Sequence, residues 1–337
     1  FIPSIANTNG TDFTKYKVVK KGQFTYIPDT SRRGEKIGIA LLEDLDEGLV
    51  SNVYTVFEVI DEELLCPQYL MLWFNRPEFD RYARFKSHGS VREIFDWDEM
   101  CAVELPVPSI EKQREIVKAY RAITERIELK RRINDNLESQ LATLFEQFII
   151  SNDNYKFDES LDDRIDFING LAMQNFRPLD TEKGIPVIKI RELSQGYCDE
   201  NSEYCSPNID TTHIINPGDL VFSWSGSLQA AFWTAPTAGL NQHLFKVESS
   251  YYPKWFVYRW VMYHLINFQR IAENKGTTFG HIKREDLHAA RIKALDSGVI
   301  ARLNRIFEPI LSSLITNSSE LHSLMNVRRV LLSNLSR

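Results

Sequence analysis

The chain has 337 residues, a formal net charge of -6, 43% hydrophobic residues and 26% charged residues. That length is more than one core usually holds, and that balance excludes a disordered or fibrous polypeptide, so two globular domains are expected. No apolar run approaches the roughly 20 residues that a bilayer requires, and the opening FIPSIANTNG lacks the basic and apolar regions of a signal peptide, which points to the cytoplasm.

In chain order, residues 1–108 mix β-branched and aromatic residues with Gly and Pro punctuation, as mixed α/β (α+β) domains do. Between Lys15 and Lys36 seven basic residues stand against two acidic ones, a local excess that suits a polyanion although the whole chain is acidic. Residues 109–150 read as one long amphipathic helix. Ile116, Tyr120, Ile123, Ile127, Leu137, Leu141, Leu144 and Phe148 step by three or four, Pro106 and Pro108 bar an earlier start, and Ser109 is the expected N-cap.

Residues 151–296 form a second α/β domain. Strands are expected over Ile185–Ile190 and Asp219–Trp224, the latter after a Pro217-Gly218 turn, and a core helix over Pro253–Ile271. The helical spacing of Trp255, Phe256, Trp260, Leu265 and Phe268 makes them packing residues rather than stacking platforms. Residues 297–337 are the second long helix, with Pro309 near its start. Each long helix has about 40 residues and spans about 60 Å.

The chain also repeats itself. A shift of 187 positions lays Gly89 on Gly276 and then Ile116 on Leu303, Tyr120 on Phe307, Ile127 on Leu314, Leu144 on Leu331 and Phe148 on Leu335. Upstream, VFEV at Val56–Val59 falls on LFKV at Leu244–Val247. The counterpart of roughly Ile165–Gly184 would precede Phe1, so some twenty or more residues of the first domain are expected to be missing. Two seams this long call for each other as partners, in an antiparallel coiled coil about a pseudo-two-fold axis. Lys130 and Asn317 fall on matching seam positions and are expected within about a turn of one another, fixing register.

The polar loops recur at equivalent places in both copies. In the first domain the candidate DNA contacts are Lys17, Lys20, Lys21, Tyr26, Arg32, Arg33, Ser51, Tyr54, Ser87, His88, Ser90 and Arg92. In the second they are Lys189, Arg191, Ser223, Trp224, Ser225, Ser227, Gln242, His243, Lys275, Thr277, Thr278, His281 and Lys283. Hydroxyls, amides and backbone N–H groups hold phosphates, while Arg, Asn, Gln and Lys read base edges.

An enzyme would need chemistry that these residues lack. No G-x-G-x-x-G and no G-x-x-x-x-G-K-[ST] occurs. Asn75-Arg76-Pro77-Glu78-Phe79 has Arg where a base-receiving Asn-Pro-Pro-aromatic loop has Pro, and reads as a turn interrupting a helix. Cys66, Cys101, Cys198 and Cys205 match no zinc spacing, so no metal is expected. Two readings stand: a noncatalytic DNA-reading subunit, or a coiled-coil scaffold whose flanking domains bind protein or another ligand.

GDLVFSWSGS at Gly218–Ser227, the glycine segments at Gly89 and Gly276, and LPVPSIEKQREIV at Leu105–Val117 resemble the recurring signatures of the specificity subunits of type I restriction-modification systems. The likeness covers nearly the whole chain. In the second copy IKALDSGVI replaces LPVPSIEKQ, losing both prolines. The resemblance implies that each target-recognition domain reads one half of a bipartite site in double-stranded DNA. It implies too that the helices act as spacer and as docking surfaces for methylation subunits, to which restriction-translocation subunits attach. S-adenosylmethionine and ATP would then belong to those partner subunits, with no cofactor in this chain.

Overall fold

The computed structural model describes residues 9–29, 36–88, 93–274 and 280–336. The chain divides into two compact units, Phe1–Arg126 with Met325–Arg337, and Ile127–Leu324, so each long helix contributes to both. The architecture is mixed α/β with two long helices, as the sequence pattern requires. Among the described residues no helix is long and apolar enough to cross a membrane.

The first unit opens with β1 (Lys17–Lys20), β2 (Phe24–Ile27), β3 (Gly38–Leu41), β4 (Glu47–Val50) and β5 (Thr55–Phe57). β2 is flanked antiparallel by β3 and β5, and β1 pairs with β4 in a separate ribbon that sets Val18 opposite Leu49. Helices α1 (Pro67–Phe74) and α2 (Pro77–Lys86) both begin on a proline, whose fixed φ and missing N–H suit a first helical turn. The expected interruption at Asn75-Arg76 lies between them. A short α3 (Trp97–Cys101) starts where Asp96 accepts the Glu99 N–H at 2.9 Å. Phe24, Tyr69, Trp73, Phe74, Phe79 and Phe95 form the core of this unit, to which Val117 and Leu335 of the long helices add.

The first long helix, α4 (Ile110–Phe145), begins where the Ser109 hydroxyl accepts the Lys112 N–H at 3.4 Å. Gln113, fully buried, fixes its approach: the carboxamide accepts from Cys66 N at 2.8 Å and donates to the carbonyls of Leu64 and Pro108 at 2.9 and 2.8 Å. A wider π-helical turn over Glu146–Ile150 carries the helix to the end expected from the sequence. The buried Lys293 closes that end by donating to the carbonyls of Ile150 and Asn152 at 2.7 and 3.0 Å.

The second unit continues with β6 (Phe157–Ser160), β7 (Asp166–Asn169), β8 (Ile185–Ile188), α5 (Ile190–Gln195), β9 (Tyr204–Cys205) and β10 (Ile214–Ile215). There follow β11 (Leu220–Ser223), β12 (Ala230–Phe232), β13 (Ala238–Leu240), β14 (Leu244–Glu248), α6 (Lys254–Asn274), α7 (Arg284–Ala289), β15 (Arg291–Lys293) and α8 (Ser297–Ser333). One antiparallel sheet has the order β12-β11-β14-β7; a second, β10-β13-β8-β9, pairs β13 with β8 in parallel; β15 and β6 form a ribbon. The strand expected over Ile185–Ile190 stops two residues early. The Glu192 carboxylate accepts the Lys189 N–H at 3.1 Å, which starts α5 at Ile190, and Gly196 ends it at φ +81°.

The packing assignment of the aromatics on α6 holds: Trp255, Phe256, Trp260 and Phe268 are all buried in the main core, with Leu141, Phe145, Phe307 and Leu311 of the long helices. Within this unit α4 and α8 run antiparallel. Lys130 donates to Asn317 Oδ1 at 2.6 Å and pairs with Glu320 at 2.8 Å, while Asn134 donates to Ser318 at 3.1 Å. The expected meeting of Lys130 and Asn317 is thus a direct bond. Such a polar layer in an apolar seam adds little net stability but penalises slipped registers, which would strand a half-buried ammonium.

His264 is buried on α6 between Trp260 and Phe268, at ring-centroid distances of 5.9 Å from each, with Nε2 at 3.0 Å from the Arg291 carbonyl. Desolvation depresses its pKa below the ordinary 6.5, against the opposing pull of that carbonyl. The unfolded chain therefore takes up this proton first as pH falls, so stability rises with pH through this range and is lost on acidification. His264→Gln is expected to flatten the urea-midpoint profile between about pH 5 and 7; an unchanged slope would show that His264 does not contribute.

Candidate nucleic-acid interface

In the second unit, loops far apart in sequence converge on Trp224, which follows β11. The Trp224 indole donates to the Gln242 carbonyl at 3.2 Å, its backbone N–H reaches the His243 carbonyl at 3.4 Å, and its own carbonyl accepts from Ile282 N at 3.0 Å. Ser225 forms a β-bridge with His281, and Gly226 N donates to the Gly280 carbonyl at 2.9 Å. Gly226 takes φ +64°, a conformation that glycine adopts without strain. His243 and His281 lie 5.9 and 6.4 Å from the Trp224 ring. Ser227, His243 and Lys283 are exposed and Gln242 and His281 half-buried, so separated positions present polar groups around one aromatic support. Lys275, Thr277 and Thr278 lie outside the described residues.

Not every candidate of this unit joins that cluster. Ser223 is fully buried, its hydroxyl donating to the Ser227 carbonyl at 2.6 Å, so it holds the loop and has no face to offer a ligand. Arg191 donates to both Asp199 oxygens at 2.9 and 3.0 Å and to Glu192 at 2.6 Å, which occupies the guanidinium fork. Those two carboxylates hold its pKa above the ordinary arginine range. It staples α5 to the following loop. Lys189 is similarly engaged by Glu203, whose pKa the ammonium lowers.

In the first unit, Lys17, Ser51 and Tyr54 meet at one end of the β1–β4 ribbon, where Lys17 Nζ donates to the Tyr54 carbonyl at 2.6 Å. Lys20 and Lys21 stand exposed at its other end. Tyr26 is a correction: it is fully buried, its hydroxyl has no hydrogen-bond partner among the described residues, and desolvation raises its pKa, so it belongs to the core. Ser87 caps α2 by donating to the Ala83 carbonyl at 2.7 Å, whereas His88 is exposed beside Glu99. Arg32, Arg33, Ser90 and Arg92 lie outside the described residues.

Two residues outside the candidate contacts shape the cluster. Asn241, almost fully buried, accepts the His243 N–H at 3.2 Å, and Gly280 lets its segment pass close to Ala272, whose carbonyl a Cβ there would meet at 2.5 Å. Asn241 opens one of the polar loops read from the sequence, Asn241-Gln242-His243, whereas Gly280 gave no signal beyond its place beside another. Asp162, Asp163 and His288 place ligand atoms within 4.8 Å of one another. His288 Nδ1 is paired with Asp162 at 3.0 Å and Asp163 accepts the Ser160 N–H at 2.7 Å, bonds that account for the grouping without an ion.

Comparison with known proteins agrees with this architecture. Residues 2–139 match the family described as the type I restriction modification DNA specificity domain. Over 303 residues the chain is 22% identical to the MjaIX specificity subunit of a type I restriction enzyme from Methanocaldococcus jannaschii, covering 82% of this chain and 70% of that one. A shorter stretch of 89 residues, 26% of this chain and 18% of the relative, is 31% identical to the EcoBI specificity subunit from Escherichia coli. The S subunit of a type I restriction-modification system from M. genitalium has a similar fold, with a TM-score of 0.57 at 15% identity over 96% of this chain and 84% of that one. The chain is thus similar to the type I restriction-modification specificity subunits.

Proposed function

We propose that this chain is the noncatalytic, sequence-reading subunit of a cytoplasmic type I restriction-modification complex. It binds double-stranded DNA, with each of its two reading domains taking one half of a bipartite target. The long helices set the gap between the halves and dock methylation subunits, through which restriction-translocation subunits join. S-adenosylmethionine and ATP are held by those partners.

The observation that most supports this reading is the convergence on Trp224 of hydroxyl, carboxamide, imidazole and ammonium groups from three separate loops. Those are the groups that hold phosphates and distinguish base edges. The Lys130–Asn317 bond supports the spacer role, because a ruler needs a fixed register.

Selection of bound duplexes from a random pool is expected to return two short motifs at one fixed gap, with affinity falling linearly in log-log with salt. Lys283→Ala and Arg92→Ala should weaken binding, and adding a helical turn to both long helices should change the gap. A pool without enriched sequence, or retention of protein ligands alone, would favour the scaffold reading instead.

A further inference from the structure

Buried polar atoms in folded proteins nearly always find a hydrogen-bond partner. In the first unit four that have none among the described residues, Trp73 Nε1, Arg76 Nε, Arg76 Nη1 and Glu78 Oε2, belong to three side chains lining one cavity of about 320 Å³. Arg76 joins α1 to α2 and is only 5% exposed, so water screens its charge little. Its guanidinium carbon stands 4.6 Å from the centroid of the Trp73 ring, a contact that favours a cation without satisfying its N–H groups. Burial pushes the guanidinium below the ordinary arginine range, and the charge of Glu78 opposes that push. A buried charge left in this state destabilises a fold relative to an apolar side chain of similar size, so packing alone does not account for it.

Glu78, in the first turn of α2, has the complementary surplus. Its Oε1 accepts from Arg81 at 3.4 Å, while Oε2 is sealed from solvent with no donor among the described residues. The cavity thus demands an acceptor for Arg76 and a donor for Glu78. A simple anion would answer Arg76 alone and be repelled by Glu78 and by Glu104, which is exposed at the same cavity. A simple cation would leave Arg76 unmet. A ligand carrying both charges on neighbouring atoms answers both, and rotation about the long arginine and glutamate side chains turns the sealed atoms toward it. Phe79 and Tyr82, stacked at 6.5 Å and 22°, give the cavity aromatic walls that suit an apolar body.

We propose that this cavity binds a free α-amino acid with an aromatic or large apolar side chain, its carboxylate on Arg76 and its ammonium on Glu78. The site lies wholly within the first unit and does not depend on the DNA-reading function proposed above.

The test is isothermal titration of the full chain with L-phenylalanine, which is expected to show one site per chain. N-acetyl-L-phenylalanine, which lacks the ammonium, and L-phenylalaninamide, which lacks the carboxylate, should each bind about 30-fold more weakly or worse, and L-serine should bind more weakly than L-phenylalanine. Glu78→Gln should lose a similar factor for L-phenylalanine while leaving N-acetyl-L-phenylalanine unaffected. Arg76→Met should abolish binding and hold or raise the thermal midpoint, because it replaces an unpaired buried charge with an apolar chain. Should Arg76→Met fail to fold, Glu78→Gln decides. Absence of binding by L-phenylalanine and L-leucine, equal binding of N-acetyl-L-phenylalanine, or full binding by Glu78→Gln overturns the proposal. Each of those results leaves duplex selection by the same chain untouched.

Discussion

Gly170→Ala is expected to cost the second unit on the order of 4 kcal/mol and to displace the loop carrying Gln242 and His243. A Cβ at Gly170 would stand 2.2 Å from the Asn241 carbonyl oxygen and 2.3 Å from that of Leu240. Both obstacles are backbone, so no rotamer change relieves them. The contact is close because Gly170 N–H donates to Leu244 O at 3.0 Å, Leu171 N–H to Leu240 O at 2.9 Å, and Gln242 N–H to Leu171 O at 2.9 Å. Those three bonds clamp the loop of Gln242 and His243 between its flanking strands, and relief of the clash must break some of them. Gly48→Ala is the control, since a Cβ there meets nothing within 4 Å and should change stability by less than about 0.5 kcal/mol. Urea unfolding of both variants decides it; equal midpoints would show that the approach relaxes without cost.

Trp255→Ala is expected to destabilise the same unit by about 3 to 5 kcal/mol. The side chain is fully buried on α6 and stacks on Phe307 of α8 at 4.3 Å and 15°, while its indole N–H donates to Asn304 at 2.8 Å. Truncation would lose the ring contacts, leave a cavity and strand the Asn304 carboxamide. Trp255→Phe keeps the ring contact and loses only the bond, so it should fall between wild type and Ala. Thermal unfolding followed by near-UV circular dichroism measures both. A loss no larger than that of Trp255→Phe would mean that the hydrogen bond, not the stacking, ties α6 to α8.

Much of the fold is legible in the pattern of residues along the chain. Helix periodicity is local, so Ile116, Tyr120, Ile127, Leu141 and their counterparts announce both long helices, and Ser109 and Pro108 place the first start within a residue. The self-match by 187 positions adds a long-range fact, and with it the antiparallel partner and the Lys130–Asn317 meeting. The strand over Leu220–Ser223 and the helix over Lys254–Asn274 follow from pattern and turn residues. The early end of β8 depended on a single side chain, Glu192, reaching back to Lys189 N, which alternation of apolar residues does not report.

The candidate site was less legible. Sequence by itself determined that polar loops of DNA-binding composition recur in two copies, because composition and repetition are properties of the chain. Tertiary structure alone decided which of those residues can meet a ligand. Tyr26 and Ser223 are buried and Arg191 is consumed by Asp199 and Glu192, although each has the same identity as a surface contact would. Ser225, His243 and His281 become neighbours through pairing between segments many residues apart. Burial and hydrogen-bond partners are set by where distant segments pack, and residue type carries no record of that.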